Sequence, residues 1–284
     1  MAADTGTATS VAAPGEAPLA QVDQWGASNA AAAVLDGSGV RAAHGDVNRV
    51  FALASITKLT TALAVLIAIE EGTLDLDEPA GPPGATVEHL LCHASGLDFD
   101  SETILAAPAT RRIYSNTGYE RLAVHLELRS GIAFTEYLHD AVLAPLGLVS
   151  TELRGSAARD LYSTVDDLCR FVGELRAPTL VDPSTWQRAT QVRYPELAGV
   201  LPGWGRQDPC PWGLGPEIHG TKAPHWTGAT APAATYGHFG GSGTFVWVDP
   251  GDGPACVVLT DRPFGDWAVD VWPGFSDDVR ASYR

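Results

Sequence analysis

The stretch from 55 to 71, SITKLTTALAVLIAIEE, constrains this chain more than any other. Ile56, Leu59, Leu63, Leu66 and Ile67 form one helical stripe, and Ala62, Val65 and Ile69 fill the other faces. A helix apolar nearly all round has no face to offer water, so it must run through the middle of a domain. Gly72 closes it at the C′ position. The N-terminal tip is then the part that meets solvent, and Ser55 and Lys58 stand there. Three residues apart on a helix, their side chains share one face, one turn apart. A serine hydroxyl is a weak nucleophile at neutral pH, and a lysine is normally protonated. In a partly dry site the lysine gives up its proton more readily and can serve as base to an acylating serine.

Strand patterns occur at both ends of the chain. Residues 30–35 and 40–44 flank Asp36-Gly37-Ser38-Gly39, and residues 244–248 and 255–260 flank Asp249-Pro250-Gly251-Asp252-Gly253. Each pair reads as a hairpin. Between them helices are expected over 87–92, 118–129, 135–143, 164–175 and 183–191. In the fourth, Val165, Leu168, Phe171, Val172 and Leu175 keep helical spacing, with Ser163 or Thr164 as N-cap. Residues 177–233, rich in Pro, Gly and Trp, read largely as long loops. The fold class that follows is α+β. One antiparallel sheet is built from N- and C-terminal strands, helices flank it, and a helical region over about residues 75–200 is inserted. The 284 residues suit a single domain over 19–284 behind a flexible tail at 1–18, and no internal repeat is visible.

Two more segments accompany Ser55-Ile56-Thr57-Lys58: Tyr114-Ser115-Asn116 and His238-Phe239-Gly240-Gly241. Serine-x-x-lysine, tyrosine-x-asparagine and a glycine-rich strand, in this order, resemble the serine β-lactamase and penicillin-binding-protein superfamily. Within it, the tyrosine form resembles the branch of class C β-lactamases, DD-peptidases and family VIII carboxylesterases. Leu90-Leu91-Cys92-His93-Ala94-Ser95-Gly96-Leu97, Pro145-Leu146-Gly147-Leu148 and Trp212-Gly213-Leu214-Gly215 are also similar to stretches of that family. The resemblance runs over roughly residues 30–260, and the three motifs together are far more specific than the first alone.

The resemblance implies a β-lactamase/transpeptidase-like fold and a set of roles. Ser55 would be the nucleophile and Lys58 its base. Tyr114 would be the second acid/base group and protonate the leaving group. Asn116 would hold the substrate or Lys58. His238, Gly240 and Gly241 would bind substrate, the backbone N–H groups of Ser55 and Gly241 forming the oxyanion hole. The third motif departs from the family pattern, since His238-Phe239-Gly240 stands where β-lactamases and peptidases carry Lys-Thr-Gly. Phe239 has no hydroxyl and a neutral His238 no fixed charge, which weakens recognition of a substrate carboxylate. Family members with His at this place are often esterases. The segment between the first two motifs is also shorter than in class C enzymes, which implies an altered pocket.

Composition narrows the partners. A formal net charge of −16 argues against nucleic acid or an anionic membrane. The longest uncharged apolar run, residues 59–69, is too short to span a bilayer. The N-terminus lacks the basic and apolar regions of a signal peptide, and Cys92, Cys169, Cys210 and Cys256 form no CxxC pair. The expectation is a cytoplasmic protein with free thiols. His89, Cys92 and His93 tempt a metal reading, but no third ligand is evident beyond that stretch, and no metal or cofactor is expected. Trp204, Trp212 and Trp226 could line an acyl pocket, but packing under loops is at least as good a reading, and they are not counted as site residues.

The reading is a serine hydrolase acting through a Ser55 acyl-enzyme, foremost a carboxylesterase on small neutral esters, with a small ester or amide as partner; the sequence does not fix the oligomeric state, and a monomer is favoured. The alternatives are a β-lactamase or D-amino-acid peptidase, an acyltransferase, and a catalytically inactive binding protein.

Overall fold

The computed structural model describes residues 16–283. The tail expected over 1–18 gives way to a helical turn, α1 (Glu16–Leu19), and the rest of that segment lies outside the described residues. The first hairpin joins β1 (Ala30–Asp36) to β2 (Gly39–Gly45). β3 (Phe51–Ala52) leads through a 3₁₀ turn, Ala54–Ile56, into the central helix α2 (Thr57–Glu70). Then come α3 (Val87–Leu91), α4 (Asn116–Ser130) and α5 (Phe134–Leu138), the last running on into a π turn. Two short strands, β4 (Glu152–Leu153) and β5 (Leu161–Ser163), form a small sheet with β3. They are followed by α6 (Val165–Arg176), capped by Thr164 rather than Ser163, and α7 (Pro183–Ala189). The chain ends with a hairpin of β6 (Gly199–Leu201) and β7 (Gly205–Gln207), then β8 (Glu217–Ile218), β9 (Tyr236–Gly240), β10 (Thr244–Val248), β11 (Ala255–Thr260) and α8 (Asp266–Ala281).

The main sheet runs in the order β2-β1-β11-β10-β9-β8, every pair antiparallel. The N-terminal hairpin therefore lies beside the last strand, as an antiparallel sheet made from both ends of the chain requires. Side chains alternate between faces. Ala31, Ala33, Leu35, Val246, Val248, Val257 and Leu259 join the core around α2. Ala32, Val34, Phe245, Trp247, Cys256 and Val258 join a second core under α8. Twelve residues of α2, Thr57 to Ala68, are buried. Its polar members are all bonded: Thr57 donates to Ala54 O (2.6 Å), Thr60 to Thr57 O (2.8 Å) and Thr61 to Ala157 O (2.7 Å). A buried hydroxyl without such a partner would be costly.

Two regions differ from the sequence expectation. No element was expected over 266–281, yet Trp272, Phe275 and Val279 of α8 cover the sheet's second face. Pro273 and Gly274, poor helix formers, sit within that helix and blur its pattern. The segment 177–233 is not all loop, since β6, β7 and β8 stand in it; these strands are too short to show a period-two pattern. Among the described residues no helix is long and apolar enough to cross a membrane.

Candidate active site

Ser55 occupies the 3₁₀ turn just ahead of α2 rather than the α-helix itself. Ala54 before it has φ of 46°, a left-handed conformation that a non-glycine residue adopts only under constraint. Lys58, one turn on, is fully buried, and its Nζ lies 3.1 Å from Ser55 Oγ. The same nitrogen donates to Asn116 Oδ1 at 2.7 Å and to the Ala158 carbonyl at 2.8 Å. Two of these partners can only accept, and the third is a hydroxyl. A neutral amine matches the set: two N–H bonds go to the acceptors, and the lone pair faces the Ser55 O–H.

Burial holds Lys58 well below the usual lysine value, and the Arg159 charge pushes the same way. Glu120 and Asp100 oppose this, but Arg159 occupies both. It pairs with Asp100 at 2.8 and 2.9 Å and reaches Glu120 at 3.7 Å. Among the described residues no carboxylate forms an ion pair with Lys58.

Asn116 and Tyr114 arrive together at the start of α4. Ser115 caps that helix, accepting the Gly118 N–H at 3.0 Å while donating to Asp98 O at 2.6 Å. Asn116 is thereby placed in the helix's first position, committed to Lys58 through Oδ1, with Nδ2 3.4 Å from Asp100 Oδ1. The Tyr114 ring lies under the lysine, 4.7 Å from Nζ to ring centroid. Its hydroxyl is 3.4 Å from His238 Nε2. His238 Nδ1 lies 2.7 Å from the Phe239 carbonyl, which assigns the proton to Nδ1 and leaves Nε2 to accept from the phenol. Burial, helped by the Lys58 charge, pushes His238 down to about 3, so the ring is neutral. Burial pushes the Tyr114 phenol up, and a hydrogen bond with Ser55 opposes the rise.

Gly240 lets β9 close on the turn that carries Ser55. A Cβ there would meet Leu53 O at 2.2 Å and Thr244 Oγ1 at 2.5 Å. Gly241 differs: a Cβ would meet nothing within 4 Å, and the residue borders the same cavity as Ser55. Strand parity separates the two residues of the third motif. His238 stands opposite Val246 and faces α2, whereas Phe239 stands opposite Phe245 and packs with Trp204, Trp226, Phe264 and Trp272 under α8. Phe239 is thus chiefly a core residue with one edge at the site.

A cavity of about 170 Å³ opens in front of Ser55, bounded by Tyr114, Trp212, His238, Gly241 and the apolar side chains of Phe99, Val200, Leu201, Pro202, Phe239 and Phe264. Trp212, not counted as a site residue from sequence, lies on this wall and donates Nε1–H to Gly215 O at 3.0 Å. His89, Cys92 and His93 do not converge. His89 closes a capping box with Thr86 and reaches Tyr194, whereas His93 accepts the Ser115 N–H. All four cysteines are free and buried.

A β-lactamase family model matches residues 19–275. The chain is 52% identical to a structurally determined β-lactamase from Mycobacterium bovis, with a TM-score of 0.92, covering 94% of this chain and 99% of that one. It is 30% identical over 139 residues to a penicillin-binding protein of Bacillus subtilis (strain 168), 37% of this chain and 31% of that protein, so the match spans about a third of that relative. The fold is shared with EstCE1, a hydrolase with promiscuous acyltransferase activity, at 17% identity and a TM-score of 0.76, covering 92% and 96%. With the match over nearly its whole length and the serine–lysine pair set at the head of its central helix, the chain belongs to the β-lactamase family of serine hydrolases.

Proposed function

We propose that this protein is a carboxylesterase acting on small neutral esters. The observation that carries the reading is the cavity at Ser55. It is small beside the roughly 300–1,000 Å³ of sites for drug-sized ligands. Among the described residues its lining is apolar or uncharged, with neutral His238 where a cation would hold a carboxylate. Desolvating a substrate carboxylate there would find no compensating charge, whereas a short acyl chain would be buried favourably.

In this reading Ser55 Oγ attacks the ester carbonyl and passes its proton to neutral Lys58. The N–H groups of Ser55 and Gly241 receive the oxyanion. Tyr114 gives its proton to the departing alkoxide, and its phenol recovers one from Lys58. Water then attacks the acyl-enzyme by the reverse route and releases the acid. A wider groove of about 600 Å³ shares Phe99, Tyr114, Val200 and Pro202 with the cavity and would take the alcohol half.

A second reading, β-lactam hydrolysis, is favoured by the description of the M. bovis relative and by Arg111 in the wider groove. One experiment separates the two: kcat/KM for p-nitrophenyl esters of rising acyl length beside nitrocefin, at fixed salt. The ester reading expects a maximum at short acyl chains and far slower nitrocefin turnover. Nitrocefin hydrolysed as fast as the best ester would replace it with the second reading.

A further inference from the structure

The mechanism leaves one buried histidine beside the site without a role. His93 is 1% exposed and follows the last turn of α3 in a left-handed conformation, φ 58°. Its carbonyl accepts the N–H of Ile113 at 2.9 Å, and its Nδ1 accepts the N–H of Ser115 at 3.1 Å. These two residues flank Tyr114. The His93 ring also packs against the Tyr114 ring, centroids 4.5 Å apart at 41°. One residue therefore holds the backbone on both sides of the phenol and lies against the phenol itself.

Other features suit a fixed, neutral ring. Because Nδ1 accepts, the proton sits on Nε2, and that nitrogen is buried without a hydrogen-bond partner among the described residues. Rings of Tyr119 and Trp212, at 5.2 and 4.9 Å, pack around it. Burial, with the Lys58 charge adding to it, holds the imidazole well below its ordinary range, so Nδ1 stays free to accept. An unpaired polar atom and a left-handed backbone are both unfavourable. Their coincidence at a residue touching Tyr114 points to a function that offsets them.

We propose that His93 is the positioning residue for Tyr114, holding the phenol within reach of the leaving group through the Ile113 and Ser115 bonds and the ring contact. The proposal rests on the proton-donor role given to Tyr114 above. It makes a specific demand on side-chain shape. Asparagine places Oδ1 where the imidazole has Nδ1 and tolerates a positive φ, so His93→Asn keeps the bond to Ser115. His93→Phe keeps a ring, loses the acceptor and leaves the Ser115 N–H buried and unpaired.

The test is kcat and KM for a short-chain p-nitrophenyl ester with His93→Asn and His93→Phe, each made in the native chain and in Tyr114→Phe. In the native background His93→Phe is expected to lower kcat about 10- to 100-fold with KM little changed, the scale of a misplaced catalytic group. His93→Asn is expected to restore most of that loss. In the Tyr114→Phe background His93→Phe is expected to cost nothing further, because a residue acting only through Tyr114 is non-additive with it. Should His93→Phe fail to fold, His93→Gly, which accepts the left-handed backbone and removes only the side chain, takes its place with the same expectation. An equal kcat loss in both backgrounds, or native kcat in the Phe or Gly variant beside an impaired Tyr114→Phe, would overturn the positioning role. Native kcat in Tyr114→Phe alone would instead overturn the mechanism beneath it.

Discussion

Two lysines lie buried in this molecule, and they serve opposite ends. Lys222 Nζ is 2.5 Å from Glu217 Oε1. His225 Nε2 sits 2.8 Å from the same oxygen, and Trp226 donates to Oε2 at 2.8 Å. Burial alone would raise the Glu217 carboxyl, but the Lys222 and His225 charges and hydrogen bonds more than offset it and hold it well below its ordinary range. Lys58 is as deeply buried, yet its three partners carry no charge. Burial does not decide what a lysine does; the counter-ion does. Lys222 is tied to its carboxylate as a cation that joins β8 to the following loop. Lys58, whose nearby carboxylates are taken up by Arg159, is left able to exchange a proton with Ser55.

This contrast can be broken by exchanging the losses. Lys58→Ala is expected to lower kcat of the folded fraction about 10²- to 10⁴-fold, the scale of a general base, and to lower stability as well, because it empties a buried site and unpairs Asn116 Oδ1 and the Ala158 carbonyl. Lys222→Met is expected to act on stability alone. It strands a buried Glu217 carboxylate and should cost about 3–5 kcal/mol of stability, with kcat of the folded fraction near native. Adding Glu217→Gln removes the stranded charge and should return part of that loss in a denaturant titration. Native activity in Lys58→Ala, or native stability in Lys222→Met, would each erase the distinction.

A pH profile sharpens it. Only the neutral amine accepts the Ser55 proton, so kcat/KM should rise with pH through the Lys58 ionisation, at a midpoint below the usual lysine value. His238 titrates near 3 and adds no limb at neutral pH, and the raised Tyr114 phenol adds none until strongly alkaline solution. Stability carries the same sign. Between the lowered folded value of Lys58 and its higher unfolded value, the unfolded chain binds more protons, so this residue makes stability rise with pH there. Lys58→Met should remove that slope.

The smallest expected effect is at Arg159. Arg159→Gln frees Asp100 and removes a nearby positive charge, and both changes favour the ammonium form of Lys58. The rising limb of the profile should move to higher pH with its plateau retained. A limb that stays in place would mean that burial alone sets Lys58.

The half of the site that rests on local spacing was legible in the sequence. Ser55 and Lys58 share a helical turn, so pattern alone groups them, whereas Tyr114 and Asn116 stood out only through the family resemblance, because the helix they open was expected to begin at 118. The rest comes from tertiary approach. The Ala158 carbonyl, Trp212 and Val200 reach the site from segments with no periodicity of their own. His93 was weighed as a metal ligand and as part of a family-like stretch but not as a site residue, because its contact with Ser115 depends on how α3 meets α4. Phe239 enters the sequence reading only for the hydroxyl it lacks, and strand parity turns its ring mainly into the core under α8. His238→Lys with Phe239→Thr would therefore change the packing as well as the pocket. In the fold, the sheet from both termini was visible as two hairpins, whereas α8 was hidden by Pro273 and Gly274.

The central claim is that Lys58 makes Ser55 a nucleophile, and covalent labelling tests it most directly. The native chain, Lys58→Ala and Ser55→Ala are each treated with a fluorophosphonate and followed by intact mass against time. The account predicts one adduct on the native chain, none on Ser55→Ala, and a much slower adduct on Lys58→Ala. An adduct on Ser55→Ala, or equal labelling rates with and without Lys58, would contradict it.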